Sequence, residues 1–322
     1  MPPWLTILLI AADAAVLLLA LLSYRLFRTA CVPRSVRDAD AYYQTLIQKA
    51  GTDVAADIRR AIDAFLADPG EEIHIQSDDG LTLRGHYIAA HPESKRVLLM
   101  CHGWNSSPAH DFSPALSYFH SLGFNTLLIW QRAQNGNEGK YMTFGAWEHR
   151  DVHRWVDYLC GRLGEDAHIV IHGISMGAST VMLAAGEPLP PQVKGVIADS
   201  GYDSAVEELL HLGRRFRMPV RPLLPLINIW TRLLARFSLY DTDTKAALAR
   251  SELPILFVHG TGDTFVPHEC TIRNAAVCRG EKTVVLVEGA AHGFSYLCDT
   301  ARCQDALRVF LQSVATDPSD KE

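Results

Sequence analysis

The stretch Gly173-Ile174-Ser175-Met176-Gly177 constrains this chain more than any other. It joins an apolar run (Ile169, Val170, Ile171) to a small-residue run that favours a helix (Ala178 to Ala185). A Gly-x-Ser-x-Gly at such a boundary is a nucleophile elbow. The backbone turns so sharply from strand to helix that only small residues fit beside the serine. Its hydroxyl is then held at the helix N-terminus with little choice of direction.

A serine hydroxyl is a poor nucleophile until a neighbouring base takes its proton, and a buried carboxylate must hold that base in the right tautomer. Both residue types lie downstream. Asp263 follows the buried-looking strand Pro254 to Gly260 in a Gly-rich turn, and His292 follows a second such strand, Thr283 to Val287. Singly, each has a plainer reading: a surface histidine, turn chemistry at the aspartate, a helix cap at the serine. Three in the order Ser, Asp, His, each after an expected strand, point to a catalytic triad of Ser175, Asp263 and His292. Asp199, after the preceding strand, is a lesser rival for the acid.

The spacing predicts strands near 125–130, 168–171, 193–198, 255–259 and 283–287, alternating with helices near 109–122, 146–163, 176–185, 268–278 and 301–314. A hairpin over 72–89 turns at Asp78-Asp79-Gly80, and Val97 to Cys101 is a further strand. Before these, 36–67 reads as a helical linker with Ile58, Ile62, Phe65 and Leu66 on one face. Buried-type strands alternating with helices predict an α/β fold with a mostly parallel sheet covered on both faces.

The segment 201–250 interrupts this rhythm between the serine and the aspartate. It is expected to form a helical lid whose Leu223, Leu224, Ile227, Ile229, Trp230, Leu233 and Leu234 line an acyl-binding surface. Arg214, Arg215 and Arg217 beside it would attract an anionic substrate.

From Trp4 to Leu22 the chain is apolar except for Asp13, close to the ~20 residues that cross a bilayer. Asp13 opposes insertion by roughly 2.5–3.5 kcal/mol, which the surrounding Leu, Ile and Val offset at about 0.3–0.6 kcal/mol each. A basic leading region and an Ala-x-Ala-like cleavage site are missing, so a retained anchor over 4–24 is expected rather than a cleaved signal peptide. Arg25, Arg28, Arg34 and Arg37 follow the apolar run and none precedes it, which predicts a cytoplasmic catalytic domain. The division expected is therefore anchor 4–24, linker 25–70 and catalytic domain 71–316. A net charge of −6 gives no reason to expect nucleic-acid binding, and no obligate protein partner is evident. The seven cysteines are odd in number and scattered, and read as reduced thiols. His149 and His153, one helical turn apart, read as an exposed helix face rather than a metal site.

Acyl transfer also needs donors aimed at the developing oxyanion. The elbow offers the backbone N–H of Met176, and the loop Cys101-His102-Gly103-Trp104 offers that of Trp104, with His102 structural. Together with Asp199-Ser200, His259-Gly260-x-x-Asp263-x-x-Val266-Pro267 and His292-Gly293, these motifs resemble the α/β-hydrolase superfamily over about residues 70–315. They are most similar to bacterial serine-aminopeptidase-like or lysophospholipase-like hydrolases with an N-terminal membrane segment. The loop Gln131 to Gly139 departs from that pattern, carrying Gln134 and Asn135 where an Arg-x-His-Gly-x-Ser loop has His-Gly.

The resemblance implies an α/β-hydrolase fold with a helical lid and an N-terminal transmembrane helix. It further implies two-step hydrolysis of small-molecule or lipid acyl esters through an acyl-enzyme on Ser175, with no cofactor and no metal. The residues leave open a peptidase or amidase, an acyltransferase, and a non-catalytic binding protein on the same fold.

Overall fold

The computed structural model describes residues 1–34, 52–134 and 136–315. Part of the expected linker (35–51) and Asn135 lie outside the described residues. In chain order the elements are α1 (Pro3–Cys31), α2 (Thr52–Ala67), β1 (Glu71–Gln76), β2 (Thr82–Ile88), β3 (Arg96–Cys101), α3 (Pro108–Ser121), β4 (Asn125–Ile129), α4 (Glu148–Leu163), β5 (His168–Ile174) and α5 (Met176–Ala185). They continue with β6 (Val193–Asp199), α6 (Ala205–Arg215), α7 (Val220–Trp230), α8 (Thr244–Leu248), β7 (Ile255–Gly260), α9 (Glu269–Val277), β8 (Lys282–Val287), α10 (Ser295–Cys298) and α11 (Thr300–Ser313).

The strands form one sheet in the order β1-β2-β4-β3-β5-β6-β7-β8. The pairs β1–β2 and β2–β4 are antiparallel, and from β4 onward every pairing is parallel. β3 and β4 are buried almost throughout because helices cover both faces. On one face Trp155 of α4 and Val181 of α5 pack against Leu99, Ile171 and Phe257. On the other, Ile58, Ile62 and Phe65 of α2, Phe112 of α3 and Phe310 of α11 pack against Leu98, Val170 and Leu256. Leu66, expected with that α2 stripe, points outward and is 59% exposed.

A third apolar cluster sits above the carboxyl ends of the parallel strands. It joins Phe27 and Cys31 of α1 to Val220, Leu223, Leu224 and Ile227 of α7 and to Met176. α1 is the helix among the described residues that is long and apolar enough to cross a membrane, with a mean hydropathy of 2.7 over its most apolar window. It runs on to Cys31, past the expected anchor boundary at 24, and one face of its last turns (Ser23, Phe27, Ala30, Cys31) is buried in the domain. Burying a Phe27-sized side chain stabilises that docking by ~1.5–3 kcal/mol.

Candidate active site

The elbow forms because its flanking positions admit no side chain. A Cβ on Gly173 would lie 2.1 Å from the Gly177 carbonyl oxygen, and one on Gly177 would lie 1.9 Å from that of Cys101. Ser175 between them takes φ +57°, a left-handed conformation costly for a residue with a side chain. Its N–H donates to Asp199 O at 2.8 Å, which pins the turn to the end of β6.

His292 lies between the two other residues. Its Nδ1–H donates to Asp263 Oδ2 at 2.6 Å, and its Nε2 accepts from Ser175 Oγ at 2.8 Å. The tautomer follows, since a carboxylate only accepts. Asp263 Oδ1 also accepts the N–H groups of Phe265 (2.8 Å) and Val266 (2.9 Å). Its Oδ2 lies 3.2 Å from His259 Nε2, which must be protonated because it also faces Val266 O at 3.0 Å. Burial would raise the Asp263 carboxyl, but the His292 charge and the bonds from His259 and His292 outweigh it, and the group stays ionised well below the usual range. Burial pulls His292 down, while the charge of Asp263 and its hydrogen bond pull harder, so the imidazole titrates above its ordinary value. Asp199 binds its own neighbour instead, accepting from Ser200 Oγ at 2.8 Å.

The loop after β3 lies directly on the serine, with an imagined Gly103 Cβ 3.2 Å from Ser175 Cβ. Gly103 N–H is taken by Asp111 Oδ2 at 2.7 Å, whose Oδ1 also accepts from Ser106 Oγ at 2.5 Å. Asp111 is partly buried at the cavity wall, and burial lifts its carboxyl to about 6. Neither Trp104 N–H nor Met176 N–H has a partner among the described residues. Both therefore remain available to an oxyanion. His102 ties the loop down: Gln131 N–H donates to its Nε2 at 3.1 Å, and its Nδ1 lies 2.9 Å from Gly103 O. Burial holds it near 4, so it is neutral.

A cavity of about 1070 Å³ opens around Ser175 and His292. One end is lined by Leu26 and Thr29 of α1 and Leu209, Leu212, Phe216 and Met218 from α6 and the turn after it. The other runs along Phe112, Ala115 and Phe119 of α3 to Leu297, Cys303 and Leu307. Of the expected lid lining, Ile227 reaches the cavity. Leu223 and Leu224 do not, because α7 turns them onto α1. Trp230 donates to Ser23 Oγ at 3.0 Å, and Leu233 is 68% exposed. Ile229 and Leu234 also face outward. Arg215 lines the cavity, whereas Arg214 and Arg217 are exposed away from it.

His149 and His153 are not an exposed face. His149 is buried, and the two rings flank Glu187, with Nε2 to carboxylate distances of 3.2 and 3.6 Å. No group of three or more His, Cys, Asp or Glu residues able to hold a metal occurs among the described residues. All seven cysteines are free thiols. The residues that sequence reasoning missed are Asp111, Glu208, which lines the cavity from α6, and the α1 wall. Of these, only the position of Asp111 in the first turn of a Ser-capped helix left any trace in the sequence.

No family model matches the chain. It is 28% identical over 244 residues to the uncharacterized protein YqkD of Bacillus subtilis, covering 74% of this chain and 78% of that one. Among solved structures it is similar to an esterase of Pyrococcus furiosus, with a TM-score of 0.60 and 22% identity over 76% of this chain and 90% of that one. It is also similar to Est1E of Butyrivibrio proteoclasticus, solved with ferulic acid bound (TM-score 0.58, 16% identity, 76% of this chain and all of that one). An acylaminoacyl peptidase of Pyrococcus horikoshii matches with a TM-score of 0.57 and 16% identity over 76% of this chain, which spans 41% of that longer protein.

Proposed function

The chain has the α/β-hydrolase fold, and on that premise we propose that it is a serine hydrolase cleaving carboxylic esters of apolar acyl groups. The observation that carries this reading is His292, within hydrogen-bond reach of Ser175 Oγ at 2.8 Å and of Asp263 at 2.6 Å. In the first step Ser175 Oγ attacks the ester carbonyl carbon while its proton passes to His292 Nε2. The carbonyl oxygen becomes an oxyanion facing Met176 N–H and Trp104 N–H. The bond to the leaving alkoxide breaks as His292 returns the proton to it, which leaves an acyl-enzyme and an alcohol. Water then attacks the acyl carbon, giving its proton to His292, and Ser175 regains a proton as the acid departs.

The apolar walls support an acyl chain as the group bound. The cavity exceeds the ~300–1,000 Å³ usual for small-molecule sites. The test is turnover of p-nitrophenyl esters from acetate to palmitate by the full chain in detergent, with Ser175→Ala at every length. Serine-dependent turnover is expected. Turnover of p-nitroanilides in place of esters would shift the reading to amidase, and none of either from folded protein would remove the hydrolase reading.

A further inference from the structure

The catalytic domain is fastened to α1 at a fixed height. Trp230 Nε1–H donates to Ser23 Oγ at 3.0 Å, Trp104 Nε1–H to Ala30 O at 2.9 Å, and Met142 N–H to Cys31 O at 2.7 Å. Above these ties the helix stands clear of the protein, with Ile7 68% and Val16 67% exposed. Among the ties, Phe27 and Cys31 are buried. The end of α1 is thus packed into the domain that holds the cavity around Ser175.

Leu26 and Thr29 line that cavity, four and seven residues beyond Leu22, where the apolar run ends. At 1.5 Å per residue they lie ~6–10 Å past it along the helix axis. The headgroup layer on each side of a bilayer is ~5–8 Å thick. With α1 spanning a membrane, this wall of the cavity stands at the headgroups.

The lid meets the same level with matching chemistry. Trp230 on Ser23 holds the following turn, Thr231–Ala235, where α1 leaves the domain. That turn exposes Leu233, and the turn after α6 exposes Phe216 (56%) and Met218 (37%), which edge the cavity. Between Leu209 and Tyr240 the chain carries six arginines and no acidic residue, although its overall charge is −6. Arg214, Arg217, Arg221 and Arg232 are exposed and make no ion pair among the described residues, and Arg25 and Arg28 of α1 are exposed as well. Apolar tips among unpaired arginines complement an anionic lipid surface.

We propose that the arginine-rich lid and the lower end of α1 form one surface seated on an anionic phospholipid leaflet, so that the Ser175 cavity is loaded from the headgroup layer with an acyl lipid. The seating stands on geometry and charge alone, whereas the loading rests on the serine-hydrolase reading.

The test uses the full chain in nanodiscs of phosphatidylcholine alone or with phosphatidylglycerol, and two readouts. Hydrogen exchange over residues 214–236 should slow in the anionic discs and recover in high salt. Serine-dependent turnover of a disc-embedded fluorogenic acyl lipid should rise severalfold with phosphatidylglycerol. The variant R221Q/R232Q/L233S should lose that rise and the exchange protection while keeping wild-type turnover of soluble p-nitrophenyl acetate. Exchange indifferent to lipid charge, or lipid turnover equal in both discs and in the variant, overturns the proposal. Absence of turnover of every p-nitrophenyl ester and p-nitroanilide by the wild type would instead overturn the hydrolase reading and leave the exchange result to judge the seating.

Discussion

The Trp104 indole donates its Nε1–H to the Ala30 carbonyl at 2.9 Å. The loop after β3 is thereby anchored to the last turn of α1. Arg34 adds to the tie: its N–H bonds Asn105 Oδ1 at 2.8 Å and its guanidinium lies 5.3 Å from the Trp104 ring centre. A chain shortened to begin at residue 38 would lose these contacts and one wall of the cavity. The end of α1 is therefore part of the site's scaffold, and activity is best measured on the full chain.

Trp104→Phe isolates that tie, keeping an aromatic ring on Phe265 and removing the N–H. A net hydrogen bond contributes about 0.5–1.5 kcal/mol. If it holds the oxyanion donor in place, kcat on p-nitrophenyl acetate should fall about two- to tenfold, with KM little changed. An unchanged kcat would mean that Asp111 and His102 hold the loop without help from α1.

Asp263 and His292 make a prediction about pH. In the serine-hydrolase reading, esterolysis needs neutral His292, and the charge of Asp263 raises the pH at which the imidazole loses its proton. The acidic limb of kcat/KM should therefore have its midpoint above the ordinary imidazole value, with activity rising as pH climbs through it. Asp263→Asn removes the charge, so the midpoint should move to lower pH while the plateau falls by about 10⁴. A limb that stays put in the variant would assign it to a group other than His292.

Glu208 is a carboxyl in an unfavourable place. It is 4% exposed on α6, and neither of its oxygens has a hydrogen-bond partner among the described residues. Burial pushes it up to about 8; His292 opposes the shift, and Asp263 and Asp203 add to it. The folded protein thus holds this proton more tightly than the unfolded chain, where a glutamate titrates near 4.5. Stability is complete below that value and is lost as pH rises from about 4.5 toward 8, by at most roughly 1.4 kcal/mol per pH unit. Glu208→Gln should melt like the wild type at pH 4 and at progressively higher temperature than it from pH 5 to 8. Parallel melting curves across that range would show that Glu208 titrates normally.

How far the site could be read from sequence follows from how local each part is. The elbow is written in five residues because Gly173 and Gly177 are demanded by backbone atoms within about 2 Å of any side chain placed there. Asp263 and His292 were legible as carboxylate and imidazole after β7 and β8, since parallel strands deliver their carboxyl ends to one edge. Asp111 was not, because its bond to Gly103 depends on α3 folding back over the loop. The lid misled for a related reason. The apolar spacing of 223–234 signals a buried face but not its partner, and α1 took up Leu223 and Leu224, leaving Ile227 to line the cavity with Leu209, Leu212 and Phe216.

In the serine-hydrolase reading, the arm of the cavity along α3 would limit acyl length. Ala115 lies on it between Phe112 and Phe119, the smallest of the α3 residues there, and Leu307 lines the same arm from α11. Ala115→Trp should fill the arm without touching Ser175, His292 or the loop after β3. If acyl chains enter this arm, the preferred p-nitrophenyl ester should shorten by several carbons, with acetate turnover unchanged. Losing one buried methylene contact costs ~0.8 kcal/mol, so each carbon excluded should lower kcat/KM about fourfold. Equal losses at every chain length would mean that the substitution disturbs α3 and the sheet. An unaltered preference would send the chain toward α1 and the lid, where Leu26→Trp would be the variant to shorten it.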